Sequence, residues 1–91
     1  MRTVYKYKLN RGTFDVSEVQ IPSDAKIVLF DVQNHGLYIW AEVETDNPTV
    51  TRRFRVMGTG WELSELPVYT LRHRASIQKD SFVWHLYELV L

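Results

Sequence analysis

The chain has 91 residues, 45% of them hydrophobic and 13% aromatic, with 11 Lys+Arg against 11 Asp+Glu and no Cys. That length is one domain over residues 1–91, near the small end for an independent fold. The composition is not that of a disordered chain, the zero net charge disfavours a globally basic nucleic-acid binder, and the missing Cys removes disulfides, thiolate metal sites and a Cys nucleophile.

Self-association is the stabilising device left to so short a chain, so a homo-oligomer, most simply a homodimer, is expected. The start MRTVYKYKLN alternates instead of forming the apolar centre of a secretion signal, and no apolar run approaches the roughly 20 residues of a membrane helix. A reducing cytoplasm is the expected compartment.

The dominant periodicity is two. Residues 3–9 read as a strand with Tyr5, Tyr7 and Leu9 on one face and Lys6 and Lys8 on the other. Arg11-Gly12 turns the chain, and residues 14–21 form a weaker strand ended by Pro22-Ser23-Asp24. KIVLFDVQ (26–33) is almost continuously apolar, which predicts a central strand covered on both sides. Asn34-His35-Gly36 is a hairpin signal, because Asn and Gly tolerate positive φ. Its partner, 37–44, alternates Leu37, Ile39, Ala41 and Val43 against Tyr38, Trp40, Glu42 and Glu44. TDNPTV (45–50) reads as a loop, 52–57 as a strand ended by Gly58-Thr59-Gly60, and 62–67 as a loop. Strands follow at 68–77 and 82–91, joined by a turn at 78–81. The apolar Val90-Leu91 end calls for packing in a central strand or against a second subunit. About seven mostly antiparallel strands and no long helix predict an all-β domain, a small sandwich or partly closed barrel. The predicted core includes Val28, Phe30, Val32, Ile39, Ala41, Phe54, Val56, Val83 and Leu86.

Charge is unevenly spread. From Gly12 to Val50 there are seven acids and one base, Lys26, whereas from Thr51 to Lys79 there are six bases and two acids, Glu62 and Glu65. Folding residues 50–77 as a hairpin sets Arg52 and Arg53 beside His73 and Arg74, and Arg55 near Leu71 and Arg72. Like charges opposed across a sheet repel, so the arginines either splay into water or hold an anion. Arg recognises carboxylate and phosphate bidentately, and backbone N–H groups at the Gly58-Thr59-Gly60 turn would add an anion nest. The plain alternative is a set of solvated arginines neutralised by Glu62, Glu65 or the acidic hairpin. The turn itself lacks the Lys-Ser/Thr ending and following helix of a phosphate loop, and Trp61 reads as a packing anchor beside it.

The remaining chemistry is sparse. The aromatics would suit base stacking, but Tyr38 and Trp40 share a face with Glu42 and Glu44, which argues against nucleic acid. His35, His73 and His85 lack the close spacing of a zinc site, so no metal is expected, and no cofactor. There is no G-x-S-x-G and no Ser sits near a His with an acid to orient it, so no catalytic residue is assigned. Glu42 and Glu44 read as an exposed polar edge.

Four segments, YKYKL, IPSDAKIVLFDVQNHGLYIWAEVE, RRFRVMGTGWEL and FVWHLYEL, together resemble a family of small uncharacterised proteins of tailed bacteriophages and prophages. FRVMGTG and FVWHLYE are the most specific; Leu66–Lys79 matches loosely. Family members tend to carry His after the second Gly of GTG, where this chain has Trp61, so no role of that His carries over. The resemblance implies phage origin and a compact β fold, and no catalytic residues. The expectation is therefore a non-enzymatic phage accessory protein. It would sequester a small anionic, nucleotide-like ligand of host defence, with Arg52, Arg53, Arg55, Gly58, Thr59, Gly60, Trp61, Arg72 and Arg74 as the site. The competing expectation is a protein–protein module that inhibits a host protein or is a minor structural component.

Overall fold

The computed structural model describes residues 1–10, 16–63 and 67–91; the predicted Arg11-Gly12 turn and the middle of the 62–67 loop lie outside these. Among the described residues, seven antiparallel strands form two sheets: β1 (Arg2–Leu9), β2 (Ser17–Pro22), β3 (Lys26–Gln33), β4 (Gly36–Glu44), β5 (Thr49–Gly58), β6 (Thr70–Lys79) and β7 (Phe82–Val90). The first sheet has the order β1-β4-β3 and the second β2-β5-β7-β6. They pack as a small sandwich, and among the described residues there is no helix.

The alternation of β4 sets the inner face. Leu37, Ile39, Ala41 and Val43 are all buried, and they meet Phe54 and Val56 of β5, Leu86 of β7 and Val19 and Ile21 of β2 in one cluster. Of the predicted core, Phe30, Ile39, Ala41, Phe54, Val56 and Leu86 are buried, and Val32 and Val83 are partly so. The β3–β4 turn has positive φ at both Asn34 (50°) and His35 (66°), the pairing that lets a two-residue turn follow the strand twist.

β3 departs from expectation. It is an edge strand, and Val28 and Leu29 are 49% and 46% exposed. A bulge between Ile27 and Leu29 shifts the register against β4. Ile27 and Phe30 therefore both serve the core while the two residues between them face out. A bulge breaks the period of two, so an apolar sequence run here reflects a phase change rather than burial on both faces.

The second correction concerns the arginine strands. β5 and β6 are not neighbours; β7 lies between them and pairs with both. The connection from Thr59 to Tyr69 is too long for a tight hairpin, whereas Asp80-Ser81 joins β6 to β7 with only two residues and Asp80 at φ 55°. The 45–50 loop also ends earlier than expected, with β5 starting at Thr49. Leu91, expected to be packed, is 88% exposed in the single chain.

The burial pattern sets a clear order of cost. Phe54→Ala, at a site with no exposure, is expected to lower unfolding free energy by about 3–5 kcal/mol. Val28→Ala is expected to stay within about 0.5 kcal/mol. Urea unfolding of both variants checks the edge placement of β3, because a centrally buried Val28 would cost several times more.

Candidate functional site: a basic groove between the sheets

Leu86 and Glu88 are two residues apart on β7 and so point to the same inner face. A carboxylate in that position must be paired, because burying an isolated charge is costly. Its side chain is 8% exposed and is gripped from both neighbouring strands. Arg52 of β5 donates from Nε to Oε2 at 2.7 Å and from Nη2 to Oε1 at 2.8 Å. Arg74 of β6 donates from Nε to Oε1 at 2.9 Å. The third nitrogen of Arg52, Nη1, donates to the carbonyl oxygen of Ala25 at 2.7 Å, and the guanidinium lies 5.6 Å from the Phe54 ring centroid.

Arg74 reaches this point because of a second bulge. The register of β6 on β7 shifts between His73 and Ala75, so Arg74 has no Cα partner and is re-aimed inward. A groove of about 320 Å³ opens above the pair, lined by Ala25, Lys26, Ile27, Arg52 and Arg74. Arg52 and Arg74 against the Glu88 carboxylate leave one positive charge in excess at the groove floor, while Lys26 at its rim stands opposite Glu42 in register. The groove lies where the β3 edge of the first sheet approaches β6. The same junction is tied further along by Lys79 Nζ to Asp31 Oδ1 at 2.9 Å.

The electrostatics follow from this packing. Burial pushes the Glu88 carboxyl up, but the hydrogen bonds and charges of Arg52 and Arg74 outweigh it and hold the group below its ordinary value. The hydrogen bond to Glu88 holds Arg52 more firmly protonated. On the β3–β6 side, Lys79 and the Val32 N–H lower Asp31.

The site residues read from sequence are divided by the fold. Arg52 and Arg74 converge, and Arg72 stands opposite Glu88 in register but is exposed. Arg53 lies on the other face of the sheet, 3.5 Å from Glu18. Arg55 also points to that other face, opposite Tyr87, and is 2% exposed. Gly58, Thr59, Gly60 and Trp61 are at the far end of β5, about 20 Å from Arg52 at strand spacing. Trp61 packs edge-on against Trp84, with ring centroids 5.6 Å apart, and its ring lies so close over Gly58 that a Cβ there would meet it at 2.8 Å. Thr59 Oγ1 is 2.9 Å from His85 Nε2. Glu42 pairs with Arg2 on the outer face of the first sheet. Lys26, Ala25 and Glu88 are absent from the sequence reading of the site. Only Glu88 left a signal: an acid in phase with Leu86 on an otherwise apolar face.

The fold and groove define a two-sheet β sandwich with a basic cleft at the junction of its sheets. The chain belongs to the DUF7352 family, a domain of unknown function whose family model matches residues 1–90. Comparison with curated proteins finds no match, and comparison with solved structures finds none either.

The depressed value of Glu88 fixes the sign of a pH effect. Its ion pairs stabilise the fold fully above the ordinary carboxyl value of 4.5. That stability is lost as pH falls through the lower folded value. Urea midpoints measured from about pH 5 down to about pH 2 should show this loss. Glu88→Gln should make that part of the profile shallower while leaving the contribution of Asp31.

Proposed function

We propose that this chain is a non-enzymatic binding protein that holds the anionic group of a small, nucleotide-like molecule in the Lys26–Arg52–Arg74 groove. The observation that carries the reading is the pairing of Arg52 and Arg74 on one buried carboxylate, at the floor of an open groove that Lys26 also lines. Glu88 holds the guanidinium groups in place before a ligand arrives, which lowers the ordering cost of binding. The positive excess at the groove floor suits an anionic group such as phosphate. Arginine forks add directional hydrogen bonds to such a group. The site is narrower than the sequence reading: Arg53 and Arg55 leave it, and Lys26 enters.

The resemblance of the FRVMGTG and FVWHLYE segments to tailed-phage proteins supports a role as an accessory protein in the cytoplasm of an infected bacterium, where capture of a signalling nucleotide would blunt host defence. A second reading, a module that docks on a protein, is favoured by the outer face of the first sheet. There Val4 and Leu29 are exposed beside Tyr38 and Trp40, whose rings are 6.0 Å apart. Self-association would use the same face.

Isothermal titration with AMP, ATP and inorganic phosphate distinguishes the readings. Arg74→Ala and Lys26→Ala are each expected to weaken AMP or ATP binding about tenfold or more, as for a lost charged hydrogen bond. Arg53→Ala is expected to leave it unchanged. Absence of binding to all three, or equal losses in Arg53→Ala and Arg74→Ala, would sink the groove assignment and favour the docking face.

A further inference from the structure

A pair of ligating side chains outside the groove lies on the other face of the second sheet. His73 and His85 are far apart in sequence, but the β6–β7 hairpin puts Ser76 opposite His85 and His73 opposite Tyr87. His73 Nε2 is 2.8 Å from Ser76 Oγ, and His85 Nδ1 is 2.7 Å from the same oxygen. Two imidazole nitrogens from adjacent strands therefore converge on one point. Both rings are held from behind. His85 Nε2 bonds Thr59 Oγ1 at 2.9 Å, and His73 packs edge-on against Tyr87 with centroids 5.4 Å apart.

The proton count sharpens the geometry. With Nε2–H of His85 donated to Thr59, Nδ1 presents its lone pair to the Ser76 position. A histidine that binds metal through one nitrogen almost always hydrogen-bonds through the other, and the Thr59 contact supplies that support. Imidazole nitrogen suits zinc, nickel and copper, whereas calcium and magnesium require oxygen ligands. No carboxylate takes part in this chain of hydrogen bonds, and among the described residues no third His, Cys, Asp or Glu joins the pair.

We propose that His73 and His85 form a two-imidazole site for a divalent cation of the zinc, nickel and copper class, seated where Ser76 Oγ now bridges them. The exposed Ser76 hydroxyl turns aside, the two nitrogens close to about 2.0–2.1 Å from the ion, and water fills the other positions. His73 and Ser76 are exposed and His85 is half-buried, so the ion enters directly from solvent. Two protein ligands make the site exchangeable rather than a permanent part of the core. Through Thr59, the ion steadies the turn that carries Trp61. That turn walls a cavity of about 190 Å³ lined by Met57, Trp61, Leu63, His85 and Tyr87 among others.

The test is titration of the EDTA-stripped full chain with Zn²⁺, Ni²⁺, Mg²⁺ and Ca²⁺ by calorimetry, with thermal unfolding of each variant as a check on folding. One-to-one binding of Zn²⁺ and Ni²⁺ and none of Mg²⁺ or Ca²⁺ is expected. His73→Gln and His85→Gln should each weaken Ni²⁺ binding on the order of 100-fold, and Thr59→Val about tenfold. Ser76→Ala and His35→Gln should leave it intact. Unchanged affinity in either the His73 or His85 variant, loss in Ser76→Ala or His35→Gln, or equal binding of Mg²⁺ would overturn the proposal. None of these variants touches the Lys26–Arg52–Arg74 groove, so its success or failure is read separately.

Discussion

A carboxylate that faces the interior of a small β sandwich constrains everything around it. Glu88 occupies the inner face of β7, in phase with the fully buried Leu86 and opposite Phe54. Left alone it would be among the most destabilising groups in the molecule. Arg52 and Arg74 approach from the strands on either side, so one charge is neutralised by contacts that span β5, β7 and β6. The link continues to the segment before β3 through the Ala25 carbonyl. An apolar replacement of all three side chains is expected to be as stable or more so, since buried ion pairs offset desolvation only partly. What such a replacement would lose is the charge: the same contacts that satisfy Glu88 set the arginine forks at the floor of a groove.

The groove and the apolar core are therefore two ends of one face. Toward Trp84 the inner side of the second sheet is aromatic, with Trp61, Trp84 and Phe82 packed in series. In the middle it is aliphatic and sealed by β4. Toward Arg52 it becomes charged and opens beside β3. The outer side of the same sheet is distinct again, with the histidines, Ser76 and Thr59 in a hydrogen-bonded row. Separating these features on two faces prevents the arginines from acting as a single cluster.

Much of the fold was legible because alternation is a direct physical record of burial. Leu37, Ile39, Ala41 and Val43 show it plainly, and the Asn34-His35-Gly36 turn follows from the dihedral freedom of its residues. Two bulges were not legible. One lets Ile27 and Phe30 serve the core from an edge strand, and the other turns Arg74 inward; neither has a residue-type signature of its own. The β-strand order was also hidden, since β5 and β6 are sequence neighbours and only the length of their connection hints that another strand comes between. The candidate site was half visible: arginine density was plain, but its division between faces depended on β7, and in sequence Lys26 stands as an isolated base within the acidic half. The His73–His85 pair was invisible to spacing rules because strand pairing, not sequence distance, creates it.

The bulge at Arg74 also acts as a register lock. β6 is an edge strand, and an edge strand with one partner is free to slip along it unless something distinguishes one alignment from the next. A one-residue slip would turn Ala75 and Ile77 away from the core. A two-residue slip would keep them inward but carry Arg74 about 6–7 Å along β7, away from Glu88. Only one alignment satisfies both the apolar side chains and the carboxylate, so the charge that shapes the groove also keeps this outermost strand from pairing in the wrong phase.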